Sequence, residues 1–261
     1  MMDQRPVGVM TAAITAAVVA AASGCSSFAS NGGSAFAARE SESAAPGAQV
    51  EDSHSGALSA LEQLPVKGRA PKTGYARSQF GAAWTDENTA MWGGNSLSTR
   101  EDILSRDLTD ISCKTRSAPR PPCVVRSGVL HDPYTGITLD FVRGENTSPL
   151  VPIDHVVSLG DSWQTGAQQL SLAERVNLAN DPLNLIATTQ GPNTAKSDSD
   201  AGSWLPPNKA FRCAYVARQV AVKRRYRLWV TKAEKDAIAA VLSKCPRQGL
   251  PPDAEAPIHT A

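Results

Sequence analysis

Four cysteines that follow an export signal constrain the fold of this chain more than any other feature. The signal has Arg5 near its start, an apolar run over residues 7–22, and small residues before Cys25. Disulfides persist mainly in exported proteins, because the cytosol keeps thiols reduced. The cysteines beyond the signal are therefore disulfide candidates, and they are Cys113, Cys123, Cys213 and Cys245.

Two helices predicted near the carboxyl end favour one pairing. Residues 209–226 and 233–244 carry apolar residues at helical spacing, and a capping box of Thr231 and Glu234 introduces the second helix. If the two helices run antiparallel, the first turn of one meets the last turn of the other. The sequence therefore predicts that these two turns are joined by a disulfide.

That geometry pairs Cys213 with Cys245 and leaves Cys113 to close a short loop with Cys123. The alternative is a zinc site built from all four cysteines. Zinc-binding cysteines usually occur as closely spaced C-x-x-C pairs, and this sequence contains none. Disulfides are the favoured interpretation.

The chain divides into four predicted segments. The sequence Ala-Ser-Gly-Cys that ends at Cys25 resembles a bacterial lipobox, which predicts a lipidated cysteine, with an ordinary signal peptide as the alternative. Serine, alanine and glycine without apolar periodicity follow the signal and predict a disordered tether. The predicted segments are a signal at 1–25, a tether at 26–70, one folded domain at 71–247 and a disordered tail at 248–261.

Capping signals and β-branched runs predict an α+β fold. A capped helix is expected over residues 99–107, and a capping box of Ser171 and Glu174 introduces another. Residues 124–130 and 137–142 are strand-like, and the intervening His-Asp-Pro-Tyr-Thr-Gly predicts a hairpin turn in which the aspartate and the tyrosine make turn hydrogen bonds. Helices and strands in this mixed order are typical of the α+β class.

An Asp-His pair and a downstream set of asparagines are the candidate catalytic residues. Asp154 and His155 end an apolar, β-prone stretch, and Asn184, Asn193 and Lys196 follow within a polar region. A histidine can accept a proton from water near neutral pH, which makes His155 a candidate general base. Aspartate and asparagine oxygens are hard ligands that select Mg²⁺ or Mn²⁺, so Asp154 and Asn193 are candidate metal ligands.

Lys196 lies three residues after Asn193, so the two share one side if this segment is helical. The lysine is then expected to meet a substrate phosphate or the leaving group. Asp198 and Asp200 are either additional ligands or ion-pair partners of Lys196. Together these residues suit the hydrolysis of a phosphodiester by one metal ion.

Several segments between residues 75 and 245 carry a resemblance to a known family, namely STREDILSRDL, GVLHDPYTG, IDHVVSLGDSWQTGA, LANDPLNLIA, NTAKSDSDAGSWLPPN, CAYVARQVAVKRRYRL and VLSKC. Through them the chain resembles the actinobacterial secreted HNH endonuclease family, which is related to the carboxyl-terminal nuclease domain of the modification-dependent GmrSD restriction enzymes. The resemblance implies a ββα-metal core, also called a His-Me finger, with added helices and a hairpin. It also implies that Asn184 is the middle asparagine of the HNH site, which holds the loop and the ring of His155.

Substrate contacts are harder to predict, because the formal net charge is only +1 and does not by itself indicate that the chain binds nucleic acid. Basic residues nevertheless outnumber acids between residues 209 and 235. Two arginines elsewhere are either phosphate contacts or buried partners of carboxylates, and the basic helix is either a phosphate contact or a solvated face. The candidate substrate-binding residues are Arg100, Arg175, Lys223, Arg224 and Arg225.

Two classes of function follow from these features. The first is an exported, metal-dependent endonuclease acting on DNA or RNA, with DNA as the expected partner and a membrane contact through Cys25 if that residue is lipidated. The second is a non-catalytic envelope lipoprotein that uses the same scaffold for binding. Restriction of modified DNA is a weaker third possibility, because the GmrSD enzymes combine the nuclease with an NTPase and this sequence has no P-loop.

Overall fold

The computed structural model of the chain describes residues 56–114 and 123–252. The predicted signal peptide and Cys25 lie outside these residues. The described part is α+β, as predicted, with two small antiparallel sheets. The α-helices are α1 (Gly56–Glu62), α2 (Thr99–Asp107), α3 (Leu159–Gln164), α4 (Leu172–Asn180), α5 (Gln190–Lys196), α6 (Arg212–Arg225) and α7 (Lys232–Leu242). The strands are β1 (Leu108–Cys113), β2 (Val125–His131), β3 (Thr138–Val142), β4 (Ile153–His155) and β5 (Leu185–Ala187).

The predicted hairpin is confirmed as β2 and β3, which pair in an unbroken register from Ser127–Val142 to His131–Thr138. Strand β1 adds to the other edge of β2 and begins directly after α2. The sequence pattern did not predict β1, because its half-exposed residues show little apolar alternation. The helix predicted over residues 99–107 is confirmed as α2, but the predicted side-chain cap is wrong, because the N-cap residue Ser98 makes no side-chain cap hydrogen bond.

Strands β4 and β5 form the second sheet, with Asp154 opposite Ile186 and His155 opposite Leu185. Helix α5 follows β5 after two residues, so the chain runs strand, strand, helix around the Asp-His pair. The end of α2 fixes β5 in place. Arg106 donates to the carbonyl of Leu185, and Asp107 accepts from the amide of Ala187. These buried hydrogen bonds satisfy the edge of the short strand, which would be costly to leave unpaired.

The folded part extends further toward both termini than the predicted boundaries at residues 71 and 247. Helix α1 lies in the predicted tether, yet Ala57 and Leu61 are buried in the same apolar cluster as residues of α6 and α7. The amide of Ala57 donates to the carbonyl of Gln248, which lies in the predicted tail. Small and polar residues around α1 conceal one apolar helical face in the sequence. No helix in the described residues is long and apolar enough to cross a membrane.

Both predicted disulfides are present, joining Cys113 to Cys123 and Cys213 to Cys245. The four-cysteine zinc site is therefore wrong. The capping boxes predicted before α4 and α7 are also confirmed, because in each case the hydroxyl accepts from the N3 amide and the glutamate returns to the N-cap amide.

The two disulfides should differ in what they contribute to stability. They close loops with sequence separations of 32 and 10 residues. Because a cross-link restricts the unfolded chain more when its loop is longer, replacing Cys213 and Cys245 by serine should lower the free energy of unfolding by about 1 kcal/mol more than replacing Cys113 and Cys123. Urea denaturation of both double variants measures this difference. An equal loss would contradict the loop-entropy account.

Candidate active site

A polar cavity of about 190 Å³, which we call the polar cleft, lies beside β4 and α5. It brings together three of the predicted site residues, Asp154, His155 and Asn193. Asp198 and Arg77 also line it. Residues with carboxylate, amide, imidazole and guanidinium groups therefore line one cavity.

One ring nitrogen of His155 is engaged in a hydrogen bond to the backbone. Its Nε2 lies 2.9 Å from the carbonyl oxygen of Ala179 and must donate there, since a carbonyl only accepts. The neutral imidazole then carries its lone pair on Nδ1. The ring of Trp84 stacks on the imidazole with an interplanar angle of 11°. Burial lowers the pKa of His155 to about 3, so the ring is a neutral acceptor at physiological pH.

Asn184 braces the loop that follows β4. Its side-chain oxygen accepts from the amide of Val157, and its amide group donates to the carbonyls of Val157 and Leu178. Leu178 immediately precedes Ala179, whose carbonyl orients His155. The side chain is fully buried. Asn184 thus connects the loop to the end of α4 and reaches the His155 ring only through backbone.

Asp154 is held by two buried side chains that the sequence did not assign to it. The hydroxyl of Tyr134 donates to Oδ2 at 2.6 Å, and Nζ of Lys196 lies 3.0 Å from Oδ2 and 3.1 Å from Oδ1. Burial and the Asp154 charge raise the pKa of Tyr134 well above its ordinary value, so the phenol remains a donor. The carboxylate is consequently fixed in one orientation at the edge of the polar cleft.

The turn that carries Tyr134 is docked onto the second sheet. Asp132 accepts from the hydroxyls of Thr188 and Thr189, which lie between β5 and α5. It also accepts from the amide of Tyr134. The expected turn hydrogen bonds are therefore present, but the turn additionally brings the Tyr134 hydroxyl to Asp154. A contact between residues 20 positions apart leaves no local signal in a sequence.

Lys196 does not reach the surface of the cleft. The whole residue is buried, and its ammonium donates to the carbonyl of His155 as well as to Asp154. This corrects the expectation that Lys196 meets a substrate phosphate. The alternative pairing of Lys196 with Asp198 or Asp200 is also wrong, because those carboxylates pair with Lys72 and Arg69.

Asn193 and Asp198 stand on either side of the end of α5 and both line the polar cleft. Asp198 lies against Gly160, where a Cβ atom would overlap its carboxylate. Glycine at this position therefore allows α3 to approach the loop that follows α5. Asp198 is half-exposed and lines the cleft, and because Lys72 bonds to its Oδ2, Oδ1 is the atom available as a further oxygen ligand.

Arg77 is a cleft residue that sequence reasoning missed. It opens a short 3₁₀ helix (Arg77–Phe80), is exposed, and lines the polar cleft together with the Asp-His pair. No carboxylate of residues 56–114 or 123–252 forms a salt bridge with it. A guanidinium without an anionic partner at such a site suits a substrate phosphate.

The arginines predicted to bind substrate have different partners in the structure. Arg100 donates to the carbonyls of Ser148 and Val151, and Arg175 donates to those of Gln79 and Leu170, so both arginines hold backbone rather than carboxylates. Arg225 pairs with Asp181, and Arg224 is exposed. Neither residue lines the polar cleft. A phosphate contact by Arg224 stays a prediction.

Lys223 is a clear correction, because its side chain is fully buried and cannot contact a phosphate. Its ammonium lies 3.0 Å from Asp161 and 2.8 Å from Glu234. Arg69 pairs with the same Asp161 and with Asp200. We call these five residues the charge cluster. It is centred on Lys223, for which the sequence predicted either a phosphate contact or a solvated helix face.

The carboxylates of the charge cluster are near enough to one another to hold a metal ion, since their oxygens lie within 4.8 Å. Lys223 and Arg69 already supply two positive charges to them, however. A cation placed among the same oxygens would have to displace a fully buried ammonium, which is strongly unfavourable. The polar cleft is the better fit for a divalent ion, because the half-buried Asn193 and Asp198 line it and neither of them is bonded to a buried ammonium.

Three carboxylates facing two cations predict a pH effect on stability. Burial and the neighbouring Asp161 raise the pKa of Glu234 from 4.5 to about 7. Because the folded state holds this proton more tightly, the stability contributed by Glu234 should fall as pH rises from 4.5 to 7, by at most about 3 kcal/mol. Urea denaturation of wild type and Glu234→Gln at several pH values isolates this contribution. A difference between them that does not change with pH would refute it.

Comparison with known proteins places the chain in a family. Residues 98–241 match the family described as GmrSD restriction endonucleases, C-terminal domain, and this span is more than half of the chain. The chain belongs to this family. Four of the predicted site residues of this GmrSD-family chain, Asp154, His155, Asn184 and Asn193, lie in the matched span.

One relative of the GmrSD-family chain is an uncharacterized secreted protein of Arthroderma benhamiae. It is 35% identical over 195 residues, which are 74% of this chain and 86% of the relative. The word "secreted" in its description agrees with the two disulfides of this chain. The relative is fungal, so it lends no support to an actinobacterial origin. No solved structure matches the chain.

Proposed function

We propose that this chain is an exported endonuclease of the His-Me finger type that hydrolyses phosphodiester bonds of DNA with one divalent cation. The observation that carries the proposal is the state of His155, whose Nε2 is committed to the Ala179 carbonyl while the ring lines the polar cleft. This arrangement leaves Nδ1 as the basic nitrogen in a cavity that oxygen ligands and the Arg77 guanidinium also line. Membership of a restriction endonuclease family supports the same chemistry.

His155 is the general base in this proposal. Its Nδ1 accepts a proton from the attacking water, and the hydrogen bond to Ala179 stabilises the imidazolium that forms. Trp84 covers one face of the ring, which keeps the imidazole in a single orientation. Asn184 maintains this orientation from a distance, because it fixes the end of α4 that contains the accepting carbonyl.

Asp154, Asn193 and Asp198 hold the cation. All three offer hard oxygen atoms to the polar cleft, which suits Mg²⁺ or Mn²⁺ better than zinc. The bound ion supplies positive charge that offsets the charge developing on the phosphoryl oxygens. Lys196 and Tyr134 orient the Asp154 carboxylate and do not touch the substrate. Arg77, which lines the same cleft, binds a non-bridging phosphate oxygen.

Cleavage of supercoiled plasmid by the oxidised protein, residues 26–261, tests this function. Mg²⁺ or Mn²⁺ should support nicking and a chelator should stop it, and a parallel assay with RNA defines the range of substrates. If the folded protein binds DNA but cuts no nucleic acid with either cation, the catalytic proposal fails. The same scaffold would then be a binding protein of the cell envelope.

Tyr134 should matter for metal binding rather than for the fold alone. Tyr134→Phe removes the hydrogen bond to Asp154, and the loss of such an orienting partner should raise the Mg²⁺ concentration for half-maximal activity about 10- to 100-fold. Tyr226→Phe is the matched control, because that phenol donates to the buried Asp181 away from the cleft. Equal shifts in the metal titration of both variants would argue against a role at the site.

A further inference from the structure

A second cavity, which we call the apolar cleft, lies directly beside the polar one. Its volume is about 340 Å³, and Phe80, Ala82, Ala83 and Trp84 contribute to its lining. Three residues line both cavities, namely Arg77, His155 and Leu159. The proposed general base therefore stands between a polar compartment and an apolar one.

The apolar cleft depends on small residues at one point of the chain. Gly81 has a φ of +82°, and a Cβ atom there would lie 2.7 Å from Cγ2 of Val176. Ala82 and Ala83 follow it and are exposed, so no larger side chain fills the space. The volume lies near the lower end of the roughly 300–1,000 Å³ that small-molecule sites span. It is sufficient for a single planar ring system.

We propose that the apolar cleft receives the nucleobase next to the phosphate that is cut. This inference rests on the proposed function and adds the class of nucleic acid to it. A nucleotide has a charged part and an apolar, planar part joined by a sugar. The adjoining clefts offer the matching pair, with Arg77 and the oxygen ligands for the phosphate and Phe80, Trp84 and Leu159 for the base.

Such a site selects for bases that are unpaired at the cut. In a duplex both faces of a base are covered by its neighbours, so the base must be unstacked before it can enter a pocket. A single strand or a mismatch avoids most of that unfavourable step. The preferred substrate is therefore single-stranded nucleic acid, and a perfectly paired duplex should be cut about 10- to 100-fold more slowly.

The test uses the full oxidised chain with Mg²⁺ or Mn²⁺ and three DNA substrates of the same sequence. These are a single strand, its duplex, and the single strand with one abasic position beside the preferred cut. Wild type should cut the intact single strand fastest, and it should cut the abasic strand about tenfold more slowly at that position because no base enters the cleft. The affinity of wild type for the same strands, measured by fluorescence anisotropy in the presence of a chelator, should follow the same order as the cleavage rates.

Ala83→Leu extends the test, because a larger side chain at this exposed position fills the apolar cleft without disturbing the core. The variant should cut the intact strand no faster than the abasic one. Ala214→Leu is the matched control, since Ala214 is exposed on α6 and lines neither cleft. That control should retain the wild-type preference.

The outcomes separate the inference from the function on which it rests. If wild type cuts duplex and single strand at equal rates, or if Ala83→Leu keeps the full preference for an intact strand, the base site is refuted and the nuclease stands. If no substrate is cut, and the base-free ester methyl p-nitrophenyl phosphate is not hydrolysed either, the proposed function fails and the inference fails with it.

Discussion

Replacing His155 by alanine should abolish metal-dependent cleavage, with a loss of about 10²- to 10⁴-fold in rate. The substitution removes the nitrogen that accepts the proton of the attacking water and the donor that satisfies the Ala179 carbonyl. The oxygen ligands and Arg77 remain, so the variant should bind DNA with an affinity close to that of wild type. Plasmid nicking measures the rate, and fluorescence anisotropy with labelled DNA measures the affinity.

His131 provides the matched control for this prediction. It is exposed at the end of β2, bonds to the Thr138 hydroxyl, and lies outside both clefts. His131→Ala should therefore retain wild-type activity. If His155→Ala is folded and still cuts DNA at more than about a tenth of the wild-type rate, another group is the base, because general-base catalysis contributes at least about 10²-fold.

The sequence predicted the structural features that depend on residues close together in the chain. Capping boxes before α4 and α7 depend on residues three positions apart, and the hairpin depends on a turn between two β-branched runs. The Cys213–Cys245 pairing required only that two neighbouring helices run antiparallel. The convergence of Asp154, His155 and Asn193 on one cavity was also predicted, from their chemistry and from a family resemblance.

The remaining site residues were missed because their contacts are long-range. Arg77 lies 77 positions before Asp154, and no periodicity connects a 3₁₀ helix with the cleft that it faces. Tyr134 was assigned to a turn, which it occupies, while its hydroxyl serves another element. A sequence shows that a residue is polar and lies near a motif. Only the packed structure shows which carboxylate its side chain contacts.

The burial of two lysine side chains was the feature that the sequence indicated least. Lys196 and Lys223 are both fully buried, although Lys196 was expected at a phosphate and Lys223 either at a phosphate or on a solvated face. A lysine is rarely buried unless it is paired, so exposure was the reasonable expectation for both. Their carboxylate partners lie 42 and 62 residues away, at Asp154 and Asp161. Both lysines therefore hold buried carboxylates within the protein and cannot contact a phosphate.

Lys223→Met should destabilise the fold severely, lowering the free energy of unfolding by about 3–5 kcal/mol. Methionine has a similar length but leaves Asp161 and Glu234 without their shared cation in a buried environment. Arg69 can still offset part of the charge of Asp161 and Asp200. Urea denaturation gives the change, and far-ultraviolet circular dichroism establishes that the variant folds.

Lys232→Met is the matched control, because that lysine forms an exposed pair with Asp236 and should contribute about 0–1 kcal/mol. The double variant Lys223→Met/Glu234→Gln should recover part of the loss, since it removes one of the uncompensated carboxylates. Equal stabilities of Lys223→Met and Lys232→Met would refute the charge cluster as a stabilising unit. Asp161 belongs to α3, whose Leu159 lines both clefts, so the buried ammonium holds a helix that contributes to the walls of both cavities.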